Sequence, residues 1–153
     1  MPTGFKTFAE VISFAVIREE EAYEFYIDLA DKTNDMFMRE IFTDFAVEES
    51  NHKKMLMELD LKSLERIYDN LLKKIDEIGV SKHLEDIRPE PDVDFKDLLV
   101  VAMKREEKSE QLYSILAEAS ADDDVSLLFV GLAKEEANHK LRIEKTYKQL
   151  FAG

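Results

Sequence analysis

Two stretches decide how this chain is read: EESNHKKM, Glu48–Met55, and EEANHKLR, Glu135–Arg142. Each holds a Glu followed three residues later by a His, in the same local frame, and the copies lie 87 residues apart. Residues i and i+3 share one face of a helix. On a helix, then, each phrase presents a carboxylate beside an imidazole.

The repetition extends well upstream. With the chain offset by 87 residues, Phe8 meets Phe95, Arg18 meets Arg105 and Glu19-Glu20 meets Glu106-Glu107. Tyr26 meets Tyr113, Leu29-Ala30 meets Leu116-Ala117, and Phe42 meets Phe129. Between residues 8 and 53 no gap is needed, and 16 of 46 positions are identical. Chance would give roughly two or three, so the chain reads as an internal duplication.

Each half reads as two helices, at about 8–31, 36–59, 95–119 and 124–149. Thr7, with Glu10 three residues on, is a capping-box start, and Asp94 with Asp97 repeats the offset. Polar breaks at Lys32–Asp35 and Ala119–Asp124 separate the helices of each half, and breaks this short imply antiparallel hairpins. Leu61, Leu64, Tyr68, Leu71, Ile75 and Ile78 recur at helical spacing, so the connection between the halves is expected to hold an amphipathic helix. Gly79–Asp94, with Pro89 and Pro91, reads as loop. The expectation is one all-α domain over 1–153: hairpin 7–60, crossover 61–94, hairpin 95–150. Two hairpins and a long crossover make a four-helix bundle, with an extra helix outside it or against another subunit.

The inward stripe of each long helix is apolar except near its middle. The first gives Phe8, Ile12, Ala15, Glu19, Ala22, Tyr26 and Leu29; the second gives Met38, Phe42, Phe45, Glu49, His52, Leu56 and Leu59. The third gives Phe95, Leu99, Ala102, Glu106, Ser109, Tyr113 and Leu116; the fourth gives Val125, Phe129, Leu132, Glu136, His139 and Ile143. Steps of three and four put each set on one face. Periodicity thereby selects Glu49 over Glu48, Glu136 over Glu135, and Glu19 and Glu106 over their acidic neighbours, which fall to the solvated face.

Four carboxylates and two imidazoles would converge midway along the bundle. Buried carboxylates repel one another or take up protons, and no stripe Lys or Arg is available as a partner. Two divalent cations balance four Glu charges, and each neutral His adds a nitrogen ligand. One Glu from each of two helices plus Glu-x-x-His from each of the other two is the di-iron carboxylate arrangement. The metal ligands expected are Glu19, Glu49, His52, Glu106, Glu136 and His139. Tyr26 and Tyr113 lie two turns beyond Glu19 and Glu106, and helical side chains lean toward the N-terminus. Their phenols are therefore expected to hydrogen-bond ligand carboxylates. His83 is expected at the surface, the Met residues of the second helix in the core, and Gly131 in the fourth helix at a close approach or a bulge.

Composition narrows the function. The chain is 45% apolar and 36% charged with a net charge of −13, which argues against nucleic acid, because phosphate neutralisation needs clustered Lys and Arg. With no Cys, thiolate zinc and iron–sulfur sites are excluded. No signal peptide or membrane-length apolar run is evident, so a cytoplasmic protein that does not span a membrane is expected.

The residues just described resemble the ferritin-like superfamily, and within it the rubrerythrins. EEEAYEFYIDLA (Glu19–Ala30) and REEKSEQLYSILA (Arg105–Ala117) look like that family's first and third helices, with Glu, a small residue at +3 and Tyr at +7. EESNH and EEANH look like its second and fourth. The resemblance covers both hairpins, about two thirds of the chain. It implies two iron ions on the six ligands, with Glu49 and Glu136 bridging. It also implies an oxidoreductase that reacts with peroxide or O2 in oxidative-stress defence. The ligand types alone would also accept Mn or Zn.

Full-length rubrerythrins add a rubredoxin domain with four Cys, and its counterpart here would be a separate, rubredoxin-like electron donor. They also carry a further Glu about one turn along the third helix. Here that region offers Lys108 and Ser109, with Glu110 one residue on, and whether Glu110 is an additional ligand stays open. Bacterioferritins use the same six ligands, so a ferroxidase and iron store is the alternative, as is a metal-stabilised interaction protein without turnover. Ser50 and Asn51 stand where bacterioferritins have a haem-binding Met, so no haem is expected. A homo-oligomer is expected, with a dimer favoured.

Overall fold

The computed structural model describes residues 7–60, 73, 94–120 and 123–151. The chain divides into two compact units, Lys6–Leu64 and a second comprising Met1–Phe5 with Glu65–Gly153. One helical hairpin belongs to each. The expected crossover helix, the Gly79–Asp94 loop up to residue 93, and His83 lie outside the described residues.

In the first unit, Thr7 starts α1, Phe8–Lys32, by accepting the Glu10 N–H on its hydroxyl at 3.1 Å. That satisfies one of the amide groups a helix start leaves without an internal partner. The helix stops at Thr33, whose backbone is extended (φ −97°, ψ 143°). Thr33 is buried and locks the turn: its hydroxyl accepts the Asp35 N–H at 3.2 Å and its carbonyl accepts Arg39 at 3.0 Å. Asp35 then caps α2, Met36–Met57, accepting the N–H groups of Phe37 and Met38 at 2.8 and 3.1 Å. Helix α2 ends two residues before the sequence-expected 59. Glu58 is still near-helical, but the Leu59 N–H turns back to Leu56 O at 3.3 Å, closing the last turn more tightly.

The second unit repeats the plan. Asp94 caps α3, Phe95–Ala119, accepting the Asp97 N–H at 3.0 Å. Ser120 is extended (φ −74°, ψ 131°) and ends it. Helix α4, Asp123–Phe151, runs two residues past the expected end. There Lys96 of α3 holds its ammonium 5.9 Å from the Tyr147 ring centre and 5.7 Å from that of Phe151, a cation–π contact that ties down the final turn. At the other end the Ser126 hydroxyl donates across the hairpin to Ala117 O at 2.8 Å.

The stripes read from periodicity are the buried faces. Ile12, Ala15, Tyr26, Leu29, Phe42, Phe45 and Leu56 are buried in the first hairpin, and Leu99, Ala102, Tyr113, Leu116, Phe129, Leu132 and Ile143 in the second. Stripe members Ala22, Met38, Leu59, Phe95 and Ser109 are only half-buried. The core-filling role expected for the α2 methionines is not what is found. Met36, Met55 and Met57 are exposed because they fall off the Phe42–Phe45–Leu56 phase, and Met38 is half-buried near the helix start.

Gly131 meets neither expectation. Helix α4 continues through it without interruption, and a Cβ added there would have nothing within 4 Å. Gly131→Ala should therefore stabilise the protein by about 1 kcal/mol through helix propensity, seen as a rise of roughly 2–4 °C in Tm. Phe45→Ala, at a fully buried ring, should cost about 3–5 kcal/mol in denaturant unfolding.

Candidate metal centre

Each hairpin buries two glutamates and one histidine. In the first, Glu19 on α1 and Glu49 and His52 on α2 are at most 2% exposed. In the second, Glu106 on α3 and Glu136 and His139 on α4 are equally sealed, at 2%, 0% and 2%. The neighbouring acids behave differently: Glu20, Glu21 and Glu48 are half-buried, and Glu107 and Glu135 are exposed. Helical phase alone thus separates the buried acids from their half-buried or exposed neighbours, as the stripe predicts.

Within each hairpin the three side chains converge. Glu19, Glu49 and His52 each offer one ligand atom within 4.8 Å of the others, and Glu106, Glu136 and His139 do the same. His52 Nδ1 stands 3.5 Å from Glu19 Oε2 and 3.6 Å from Glu49 Oε1. His139 Nδ1 stands 3.4 Å from Glu106 Oε1. These separations exceed the roughly 2.9–3.0 Å preferred by an N–H···O hydrogen bond. They match two ligand atoms on one ion: donors about 2.1 Å from a first-row metal, at a tetrahedral angle, sit about 3.4 Å apart.

Charge points the same way. Two carboxylates in each hairpin balance one dication, and a neutral imidazole completes a mixed oxygen–nitrogen donor set suited to first-row metals. Both histidines turn Nδ1 toward the carboxylates, so Nδ1 is the nitrogen placed for ligation. Each triad fits a metal ion.

The duplicated surface adds a feature that the sequence reading left as undifferentiated solvated acid. Lys53 Nζ pairs with Glu20 at 2.8 Å, and the equivalent Lys140 pairs with Glu107 at 4.0 Å. Both pairs cross their hairpin next to a ligand histidine, Lys53 after His52 and Lys140 after His139. Their recurrence in the repeat was the available signal. Partly exposed pairs add little stability, but these hold the outer acids and lysines to one another, one residue from the ligands.

Tyr26 and Tyr113 are buried, at 2% and 1%. Tyr26 stacks on Phe42 at 6.2 Å and meets Phe45 edge-on at 5.3 Å. Tyr113 stacks on Phe129 at 6.1 Å. Leu132 replaces the second phenylalanine in that copy. Glu110 lies off the inward stripe and lines a groove outside the second hairpin with Ser114, Lys134 and Ala137.

The model of the Rubrerythrin family matches residues 10–88 and 97–153. No curated protein and no solved structure matches the chain. The family match agrees with the all-α, ferritin-like class expected from the sequence and with metal-capable carboxylate–histidine groups.

Phase sets which acids are buried beside the imidazoles. Glu48→Gln and Glu135→Gln should leave the metal content of purified protein unchanged. Glu49→Gln or Glu136→Gln should lower it by at least half, as read by elemental analysis.

Proposed function

Because the chain belongs to the rubrerythrin family, we propose that its two triads together hold a pair of iron ions and that the protein reduces peroxide, with O2 the related oxidant. The observation that carries this reading is the burial of a carboxylate–carboxylate–imidazole triad in each copy of a duplicated hairpin. When bound, the ions supply the two electrons that convert peroxide to water.

The protein's own residues do the rest. With the ions bound, Glu19 and Glu106 would be terminal carboxylate ligands, His52 and His139 would ligate through Nδ1, and Glu49 and Glu136 would be the carboxylates shared by both ions. Carboxylates can bind through one oxygen or two, so these side chains adjust to a change of metal charge without moving the helices. Tyr26 and Tyr113 donate phenolic protons to ligand carboxylates and hold them in place. The aromatic contacts of Tyr26 with Phe42 and Phe45, and of Tyr113 with Phe129, keep those phenols in fixed positions. The surrounding apolar side chains limit water and keep the site preorganised.

None of these 153 residues is a Cys, so none of them forms a thiolate iron centre, and the proposed source of reducing equivalents is a rubredoxin-like electron carrier. No helix among the described residues is long and apolar enough to cross a membrane, in keeping with the proposed cytoplasmic setting. The ligand types admit Mn or Zn as well as Fe, so anaerobic purification matters to the test.

Ferrous-loaded protein mixed anaerobically with peroxide should oxidise faster than free iron and consume one peroxide per two ferrous ions, yielding water. Absence of that reaction contradicts the proposal. Size-exclusion chromatography after iron loading separates it from iron storage. The proposal predicts a small homo-oligomer, a dimer, with about two irons per chain, whereas a large cage holding far more iron would establish storage instead.

A further inference from the structure

The second hairpin has a basic end in a strongly acidic protein. Residues 94–108 of α3 and its cap, with 138–151 of α4, carry eight Lys and Arg against five Asp and Glu. One of those five is the buried Glu106. The whole chain has 21 against 34. The two segments lie together: Lys96 covers the Tyr147 and Phe151 rings, and Lys140 pairs with Glu107.

Several of these cations are uncommitted. Lys104, Lys145 and Lys148 are exposed, and among the described residues none of the three forms an ion pair. On α4, Leu141, Lys145, Lys148 and Phe151 follow at steps of four and three and share one face, with Leu141 55% and Phe151 41% exposed. Exposed apolar side chains beside uncommitted cations are the composition of a surface that docks an acidic partner. The duplication supplies an internal control. In the first hairpin Ile17 and Glu58 stand where the second has Lys104 and Lys145, and Lys54 stands in place of Leu141. The basic, apolar end is therefore not inherited from the shared hairpin plan.

Its position bears on the metal ligands. Lys104 precedes Glu106 by two residues, and Leu141 follows His139 by two. Lys145 is about 9 Å along the helix axis from His139, at about 1.5 Å per residue.

We propose that this end of the second hairpin docks a small acidic protein that carries one electron at a time. The inference rests on the proposed function, which requires an external reductant, and it names the surface that receives it. The carrier is oxidised by one electron, a ligated ferric ion is reduced, and no covalent bond forms or breaks. The lysines steer an acidic partner by long-range attraction, while Leu141 and Phe151 supply short-range contact.

The test uses the full chain and a reduced rubredoxin chosen for its acidic surface. Lys145→Glu with Lys148→Glu should weaken binding in calorimetry by about tenfold or more at low salt. Lys32→Glu with Lys54→Glu, an equal change in net charge at exposed sites of the first hairpin, should alter it far less. Wild-type affinity should fall steeply between about 0.02 and 0.2 M salt. Metal content and circular dichroism should match wild type in both variants, and carrier-free oxidation by peroxide should be unchanged. Loss of the carrier-free reaction in wild type would count against the proposed function, whereas the binding comparison judges the docking surface by itself. Equal weakening by both variants, no weakening by the first, or salt-sensitive binding to phosphatidylserine vesicles with none to rubredoxin would each overturn the docking surface.

Discussion

A carboxylate cannot remain charged inside a helical core without a compensating cation or strong hydrogen bonds, because desolvation costs several kcal/mol per ion. Each hairpin of this protein buries two glutamates at that cost. The constraint shapes what surrounds them. The imidazole of each triad sits one helical turn from a glutamate, at distances suited to sharing an ion. Among the described residues the acids next to them in sequence are half-buried or exposed, and two of these pair with Lys53 and Lys140. A protein stabilised by packing alone would have little reason to place Glu at the centre of four otherwise apolar stripes.

Most of the site was legible in the sequence because helical phase is a strict filter. With 3.6 residues per turn, only one acid of each Glu-Glu pair can join Phe42, Phe45 and Leu56, or Phe129, Leu132 and Ile143. Burial of Glu49 and Glu136, against half-buried Glu48 and exposed Glu135, follows that filter. The duplication made it stronger, since the same interruption recurs in both halves. Caps at Thr7 and Asp94 were legible for a local reason: a short polar side chain reaches an amide two or three residues on.

What was not legible had both local and long-range causes. The early end of α2 follows from a tightened turn at Leu59, and the longer α4 is tied by Lys96 against Tyr147 and Phe151. The exposed methionines of α2 show that residue type is a weaker guide than phase. Met36 is 83% exposed despite its apolar side chain. Gly131 has no neighbour that requires its lack of a side chain, and the structure offers no packing reason for it.

The two copies have diverged around the same buried triad. Phe45 became Leu132 in the aromatic layer, Ala22 became Ser109 beside the ligands, and Ile17 became Lys104 at the surface, taking the first copy as reference. The triad residues and the two tyrosines did not change. Divergence at the surface with identity in the triads suits a common chemistry inside each hairpin and different tasks outside it.

The central claim is that the two triads act as a single two-metal centre. Electron paramagnetic resonance of the Mn(II)-loaded protein tests it most directly, because two ions sharing bridging carboxylates are magnetically coupled and two separate ions are not. The account predicts the spectrum of a coupled pair at full loading. Spectra of isolated Mn(II), with each triad filling independently, would contradict it.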